Sequence, residues 1–452
     1  MSPPVTSAAG PFPRVRVITI NFDGGDMTWR CLESLLALDW PEDRLEVVMV
    51  DNASVDGLAR RVQRHLPRVR VIDSLSNEGF ARGNNLAMAD LDGVDHVALL
   101  NNDATVEPTW LRTLVDALEA EPSLGAVCPK ILFADPAVGV HVSAPLGPAP
   151  RPDTRLLGVR ITGVLLDDRP AWRELSFDEG WHGDEGAARW SRAEAEVRVW
   201  LPDGTEPPRR MALRLDAPER KKVTLQSGAA TVVEEVGPEP RWVEVDVDPV
   251  PFDVVNNAGS NLYRDGSAGD RGFLERDEGQ YDEPAEVFAW CGGGVLLRGD
   301  YLRDVGVFDP RWFLYYEDTE LSWRGRLLGW RYRYVPDAVV RHQHAASSGE
   351  GSEFFRYWVD RNRLLTLAKL APLPWFARVL AGYTAATASI VRGEVLRPLA
   401  RLRRPRPQLS RQRLRSLRAA LAAAPAVRRD GRRVRRRRVV GDRAVLEWAL
   451  PR

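Results

Sequence analysis

Across residues 14–133, short β-branched runs alternate with helical stretches, an order that few architectures can accommodate. Residues 15–20, 45–50, 69–72, 96–100 and 125–128 read as strands, and 27–38, 54–65, 77–91 and 109–119 read as helices. Parallel strands need long crossovers, and the helices supply them, so the fold class is α/β with a mostly parallel sheet covered on both faces. In such sheets a ligand lies beyond the carboxyl ends of the strands, where strand order reverses.

Four of those strand ends carry polar residues: Asn21-Phe22-Asp23, Asp51-Asn52-Ala53-Ser54, Asn77-Glu78-Gly79-Phe80 and Asn101-Asn102-Asp103. Each alone reads as a helix cap or an Asx-turn. Four at one edge of one sheet point to a ligand.

The α/β pattern stops near residue 134. Up to residue 255 alternating segments (157–161, 195–201, 211–215, 242–247) are separated by turn signals such as Pro202-Asp203-Gly204 and predict an inserted β-sandwich or barrel-like module. That module either binds carbohydrate or serves as a scaffold; no site constellation stands out in it. From residue 256 the α/β character returns, with a buried strand at 292–297, a helix at 317–328 and a strand at 331–335. Residues 352–452 read as helical.

Glu317 and Asp318 open the helix at 317–328, directly after Trp312-Phe313-Leu314-Tyr315-Tyr316. Acidic residues favour the positive end of a helix, so an ordinary helix start accounts for the pair. A carboxylate beside a wall of apolar side chains also has a raised proton affinity, which suits a general base. The residues alone leave both readings open.

Net charge is zero, with 63 basic and 63 acidic residues, so the chain is not a polyanion-coating protein. The balance is uneven: residues 391–452 hold 20 arginines against Glu394, Asp430, Asp442 and Glu447. Residues 409–421 place Leu414, Leu417 and Leu421 on one helical face and Arg411, Arg415 and Arg418 elsewhere, a basic amphipathic helix suited to an anionic membrane or to packing on the catalytic domain. The run at 432–438 suits nucleic acid by charge, but no recognition motif accompanies it, so nucleic acid is not expected as a partner. Residues 1–13 lack an apolar core with basic flanks and are expected to form a disordered leader, not a signal peptide. The most apolar later run, 379–391, is short of the ~20 residues a membrane-spanning helix needs. Cys31, Cys128 and Cys291 have no metal-type spacing, and a reducing cytosol is the simplest compartment for them.

The motifs at residues 48–54, 77–85 and 99–103, with Tyr316-Glu317-Asp318-Thr319-Glu320-Leu321, resemble the family 2 glycosyltransferases of GT-A fold. Within them the chain is most similar to the rhamnosyltransferase-like branch, which includes galactofuranosyl transferases. The resemblance covers residues 14–133 and 256–363 and leaves the β insertion and the basic tail outside. It implies an inverting, metal-dependent transferase that moves a sugar, rhamnose from a dTDP donor first, from a nucleoside diphosphate to a glycan or polyprenyl-linked glycan. The expected location is the cytoplasmic face of the plasma membrane, reached through the basic tail.

By that resemblance Asp51 contacts the nucleotide base, Asn21 lines the nucleotide-sugar site, and Asn77 with Gly79 forms the loop over the nucleotide. Asn101-Asn102-Asp103 stands at the Asp-x-Asp position: Asn101 and Asn102 face the nucleotide sugar and Asp103 binds a divalent cation, Mg or Mn. The acidic pattern is broken at Asn101. Arg341-His342-Gln343-His344-Ala345-Ala346-Ser347 matches a His-x-x-Gly-x-Ser pattern with Ala345 for Gly, making His342 a further metal ligand and His344 the off-register alternative. Asp318 matches the catalytic base, with Glu317 orienting its neighbours.

Gly293 in Gly292-Gly293-Gly294 permits close approach of acceptor or donor sugar, or else a tight buried strand entry. Trp290, Trp312 and Tyr316 are candidates to stack on sugar faces, with at least one of them core. Arg361-Asn362-Arg363 resembles an end-of-domain motif near acceptor phosphate. Two other readings remain: a nucleotidyltransferase, for which Asn21-Phe22-Asp23-Gly24-Gly25 supplies glycines but no basic residues, and a catalytically silent carbohydrate-binding protein.

Overall fold

The computed structural model describes residues 12–149, 155–178, 180–183, 185–186, 188–343 and 352–451. It divides into two compact units, one of residues 1–131, 257–271 and 280–452, the other of residues 132–256 and 272–279.

The first unit is built on the α/β alternation. Strands β1 (Val15–Asn21), β2 (Leu45–Asp51), β3 (Val69–Asp73) and β4 (His96–Leu100) pair in parallel in the order β4-β1-β2-β3. Helices α1 (Gly25–Leu36), α2 (Leu58–His65) and α3 (Gly79–Ala87) are their crossovers, with a short strand β5 (Ala104–Val106) and helix α4 (Trp110–Glu119) following β4. On the other side of β4 the strand Gly294–Arg298 pairs antiparallel with it, followed in order by β6 (Leu124–Phe133) and the strand Arg331–His342. The sheet is thus mixed and largely parallel, an α/β GT-A architecture. Strand order reverses between β1 and β4, so the ligand crevice belongs at their carboxyl ends.

Several boundaries differ from the sequence pattern for local reasons. The second helix starts at Leu58, not residue 54, because Gly57 is left-handed (φ 75°) and Asp56 accepts the Leu58 amide at 2.9 Å. The third starts at Gly79, where the Asn77 side chain accepts the Gly79 amide at 2.9 Å, and it ends at Ala87. The strand expected at 331–335 runs on to His342, because β5 pairs with its far end through His342↔Ala104, Arg341↔Thr105 and Val340↔Val106. That extension places a histidine in the site.

Helices α5 (Gly299–Val305) and α6 (Glu317–Leu327) follow, and then α7 (Glu353–Leu370), α8 (Leu373–Val391), α9 (Arg397–Ala400) and α10 (Gln408–Arg437). The expected 409–421 helix is the first half of α10. Its packed face is small or polar, with Ser410, Gln412, Ser416, Ala420, Val427 and Gly431 buried. A Cβ at Gly431 would lie within bonding distance of the Lys369 carbonyl oxygen of α7, so only glycine permits this crossing. Leu417 packs against the core while Leu414 and Leu421 stay exposed, at 43% and 47%, so the leucine face is not what anchors the helix. Among the described residues no helix is long and apolar enough to cross a membrane. Of the expected leader, Phe12 packs edge-on against Trp40 with ring centroids 5.0 Å apart, and residues 1–11 lie outside the described residues.

The second unit contains two antiparallel sheets around a core of alternating residues such as Val140, Ile161, Val197, Leu213 and Leu225. Residues 157–161 do not form one strand; pairing breaks between Leu156–Leu157 and Arg160–Leu166.

Candidate active site

Buried polar bonds organise the carboxyl ends of β1 and β2. Asn21 is fully buried; its Nδ2 donates to Asp51 Oδ1 at 2.7 Å, and its Oδ1 accepts from Thr28 Oγ1 at 2.8 Å and from the Gly24 amide at 3.2 Å. Asp51 also accepts the Ser54 amide at 3.1 Å. Asn21 therefore acts as a brace for Asp51 and does not itself project into the crevice. Thr28 accepts from Asn102 Nδ2 at 2.8 Å, so Asn102 belongs to the same brace. Thr28 was not singled out from sequence; a threonine on the buried face of an amphipathic helix was its only signal.

The loop after β3 is locked to the segment before α6. Gly79 has φ 69°, Phe80 donates its amide to the Phe313 carbonyl at 2.8 Å, Asn85 Nδ2 reaches the Phe308 carbonyl at 2.8 Å, and Arg82 Nε the Pro310 carbonyl at 3.1 Å. A Cβ on Gly79 would come within clashing distance of the Phe313 carbonyl. Gly79→Ala is expected to lower unfolding free energy by about 2 kcal/mol from the left-handed backbone alone, with the clash adding to it, measurable as a shifted urea midpoint. An unchanged midpoint would contradict the contact.

Asp103 and His342 converge although 239 residues separate them, with Nε2 and Oδ1 at 3.0 Å. The β5 pairing sets this register, and the Gln343 amide donates to the Asp103 carbonyl at 2.8 Å. Asn101 Nδ2 sits 3.2 Å from the same His342 nitrogen. A carboxylate oxygen, an imidazole nitrogen and an amide that can turn its oxygen inward make a donor set suited to Mg or Mn. Among the described residues no third His, Cys, Asp or Glu joins them. The remaining ligands of a cation there would be water and substrate oxygens. His344 and Ser347 lie outside the described residues.

Asp318 sits one residue into α6. Its Oδ2 accepts the Gly292 amide at 3.2 Å, and its Oδ1 accepts the Thr319 amide at 2.5 Å and the Thr319 hydroxyl at 3.2 Å. Burial raises its pKa above the ordinary aspartate value, opposed in part by these bonds. Glu317 is 5% exposed, and its Oε2 has no hydrogen-bond partner. Burial, reinforced by the adjacent Asp318 charge, pushes its pKa well above the glutamate value. Both carboxyls are therefore harder to ionise than in water, Glu317 more so than Asp318, whose three hydrogen bonds favour the charged form. Gly293, next to the Asp318 donor, accepts the Asn101 amide at 3.1 Å. Two consecutive glycines therefore tie the Asp103 loop to the Asp318 carboxylate.

The aromatic candidates fare differently. Trp290 and Trp312 are fully buried, Trp290 edge-on to Phe308 and Trp312 donating to Thr366 Oγ1 at 3.0 Å, so neither offers a face to a sugar. Tyr316 is partly exposed and left-handed (φ 69°), and its hydroxyl accepts the Ala268 amide at 3.0 Å. Gly293 is buried beneath the Asn101 loop. A Cβ there would meet only side chains at ordinary contact distance, Asn101 Nδ2 and Cys291 Sγ at 3.5 Å, so no close approach requires the glycine.

Sequence reasoning also missed the support beneath this segment. Lys369 of α7 is 5% exposed at its side chain and lies 2.6 Å from Asp309 Oδ2 and 2.7 Å from Glu320 Oε1. Arg311 Nε binds Asp309 Oδ1 at 2.8 Å and its Nη2 reaches Asp430 of α10 at 2.7 Å, while Arg324 pairs with Glu320 at 2.8 Å. Its one signal was a lone lysine in the apolar run Leu364-Leu365-Thr366-Leu367-Ala368-Lys369-Leu370.

Comparison with known proteins adds to this geometry. Residues 16–139 match the sequence model of glycosyl transferase family 2. The chain is 44% identical over 346 residues to N-acetylglucosaminyl-diphospho-decaprenol L-rhamnosyltransferase of Mycobacterium tuberculosis (strain ATCC 25618 / H37Rv), spanning 74% of this chain and 77% of that protein. Among solved structures, GalNAc-T7 with UDP, GalNAc and Mn2+ aligns at 12% identity with a TM-score of 0.44, over 84% of this chain and 51% of that one. The mannosyltransferase PcManGT from Pyrobaculum calidifontis with GDP-Man and Mn2+ aligns at 16% identity with a TM-score of 0.38, over 92% and 87%.

Proposed function

The chain belongs to the family 2 glycosyltransferases, and on that premise we propose that it transfers L-rhamnose from dTDP-rhamnose to N-acetylglucosamine carried on a polyprenyl diphosphate. The observation that carries the site assignment is the Gly292-Gly293 link: Gly292 N–H holds Asp318 and Gly293 C=O holds the Asn101 loop, so base and cation ligands are fixed through one short piece of backbone. The curated relative's sugar and acceptor support the choice of substrates.

Asp51, braced by Asn21, faces the nucleotide base, and the Asn77–Gly79 loop covers the nucleotide. Asp103 and His342, with Asn101, would hold a divalent cation, which when bound would supply positive charge to offset that of the departing diphosphate. Asp318 accepts the proton of the acceptor hydroxyl as that oxygen bonds to the anomeric carbon and the bond to the diphosphate oxygen breaks. Burial makes Glu317 harder to ionise than Asp318, so the negative charge of the pair favours Asp318. One displacement inverts the anomeric centre.

The same reading predicts which reagents matter. Nucleoside diphosphate release from a panel of UDP-, dTDP- and GDP-sugars is expected with dTDP-rhamnose alone, lost on chelation, restored by Mn2+ or Mg2+, and about 10²-fold weaker for Asp103→Asn at equal metal. Release that survives chelation would remove the metal from the account.

Membrane association is assigned to the basic tail. Leu396, Leu399, Leu402, Leu414 and Leu421 are exposed there among arginines, a combination suited to an anionic bilayer surface at the cytoplasmic face.

A further inference from the structure

An open cavity of about 670 Å³ lies between α7, α8, α10 and the turn joining the strands Ser260–Tyr263 and Ala268–Asp270. Arg264, Arg363, Arg378 and Arg413 line it, with Asp265 the one carboxylate on its wall among the described residues, while Val379 and Ala386 of α8 form an apolar side.

The protein's own groups engage these guanidinium groups incompletely. Arg264 Nε and Arg378 Nη2 each make one long contact to a backbone carbonyl, both at 3.4 Å. Arg413 lies over the Tyr383 ring at 4.0 Å and donates to Thr387 Oγ1 at 3.1 Å. Arg363 Nη2 donates to the Asp265 carbonyl at 2.6 Å and stands 3.9 Å from its carboxylate, yet its Nε is buried with no partner. Asp265 offsets only one of the four positive charges around the cavity, so a bound anion would relieve the remaining repulsion. Guanidinium forks match phosphate oxygens, and four of them suit a diphosphate better than a single phosphodiester.

The cavity also connects to the chemistry. The hairpin that carries Arg264 donates the Ala268 amide to Tyr316, the residue before Glu317 and Asp318. Next to Arg363, Asn362 donates to the carbonyls of Leu314 and Tyr315 at 2.9 and 2.8 Å.

We propose that this arginine-lined cavity binds the diphosphate of the lipid-linked acceptor, with the first isoprene units against Val379 and Ala386. The proposal rests on the polyprenyl-acceptor reading above for its ligand. It is tested by titrating the full chain with farnesyl diphosphate in EDTA, which keeps metal from holding the probe in the donor site. Wild type should bind it, farnesol should bind far more weakly, and the R264Q/R378Q double variant should bind the diphosphate at least tenfold more weakly. Both arginines are exposed, so the variant's unfolding midpoint should match wild type, and R264K/R378K should recover part of the affinity.

Equal affinity of wild type and R264Q/R378Q would overturn the proposal. So would loss of flotation with phosphatidylglycerol vesicles in that variant while its acceptor KM in detergent stays at the wild-type value, which would assign the cavity to bilayer headgroups. If wild type binds farnesyl diphosphate but transfers no sugar to polyprenyl-linked N-acetylglucosamine, the acceptor reading fails while the diphosphate site stands.

Discussion

Asp318→Asn should lower turnover about 10³-fold while donor affinity stays within twofold of wild type, since general-base catalysis is worth 10²–10⁴-fold and the change keeps the side chain's shape. A second readout separates a base from a positioning group. Burial raises the Asp318 pKa, so its active, ionised form is lost as pH falls through a range above the usual aspartate value near 4. The acidic limb of wild-type kcat should lie there and should vanish in the residual activity of Asp318→Asn. If the variant keeps a tenth or more of wild-type turnover, or keeps the same acidic limb, Asp318 is not the base.

Lys369→Met should cost about 3–5 kcal/mol of unfolding free energy, the usual effect of removing one partner from a buried ionic cluster. Asp309 and Glu320 would lose their shared cation, leaving each carboxylate with one arginine, Arg311 and Arg324 respectively. Burial alone opposes ionisation of Asp309, but the hydrogen bonds and charges of Arg311 and Lys369 outweigh it and hold its carboxyl far below the aspartate range. A carboxyl with a depressed folded pKa contributes stability above its unfolded value, near 4, and that contribution is lost as pH falls below it. Wild type should therefore lose stability on acidification through pH 4, and Lys369→Met should lose less there. The double variant Asp309→Asn/Lys369→Met should recover part of the loss, because one of the two buried carboxylates that shared Lys369 is then neutral. A cost under 1 kcal/mol for Lys369→Met would show that this cluster does not hold the segment before α6.

Much of the sheet was legible because its evidence is local. β-branched runs with intervening amphipathic helices mark β1 to β4 within a residue or two, and polar residues at their ends mark the crevice edge. Helix starts were less legible wherever a left-handed glycine or an Asx side chain intervened, as at Gly57 and Asn77, since periodicity does not register those turns.

The site divides along the same line. Asp51, Asp103 and Asp318 each stand in a local motif, whereas the Asp103–His342 approach depends on the pairing of Ala104 with His342, a contact 238 positions apart that no window of sequence contains. The burial of Trp290 was undecidable locally because an aromatic residue beside glycines suits a core and a sugar platform equally well. The same limit applies to α10, where Leu414, Leu417 and Leu421 formed the obvious apolar face, yet small residues let α7 approach closely and only Leu417 of the three packs against the core.

The most direct test of the account is to incubate the full chain with dTDP-L-rhamnose, Mn2+ and polyprenyl-diphospho-N-acetylglucosamine and analyse the lipid product by mass spectrometry and by NMR at the new anomeric centre. One added deoxyhexose with inverted configuration, absent with Asp318→Asn, is the predicted result. Transfer of a different sugar would contradict the donor assignment, and retained configuration or undiminished transfer by Asp318→Asn would contradict the mechanism.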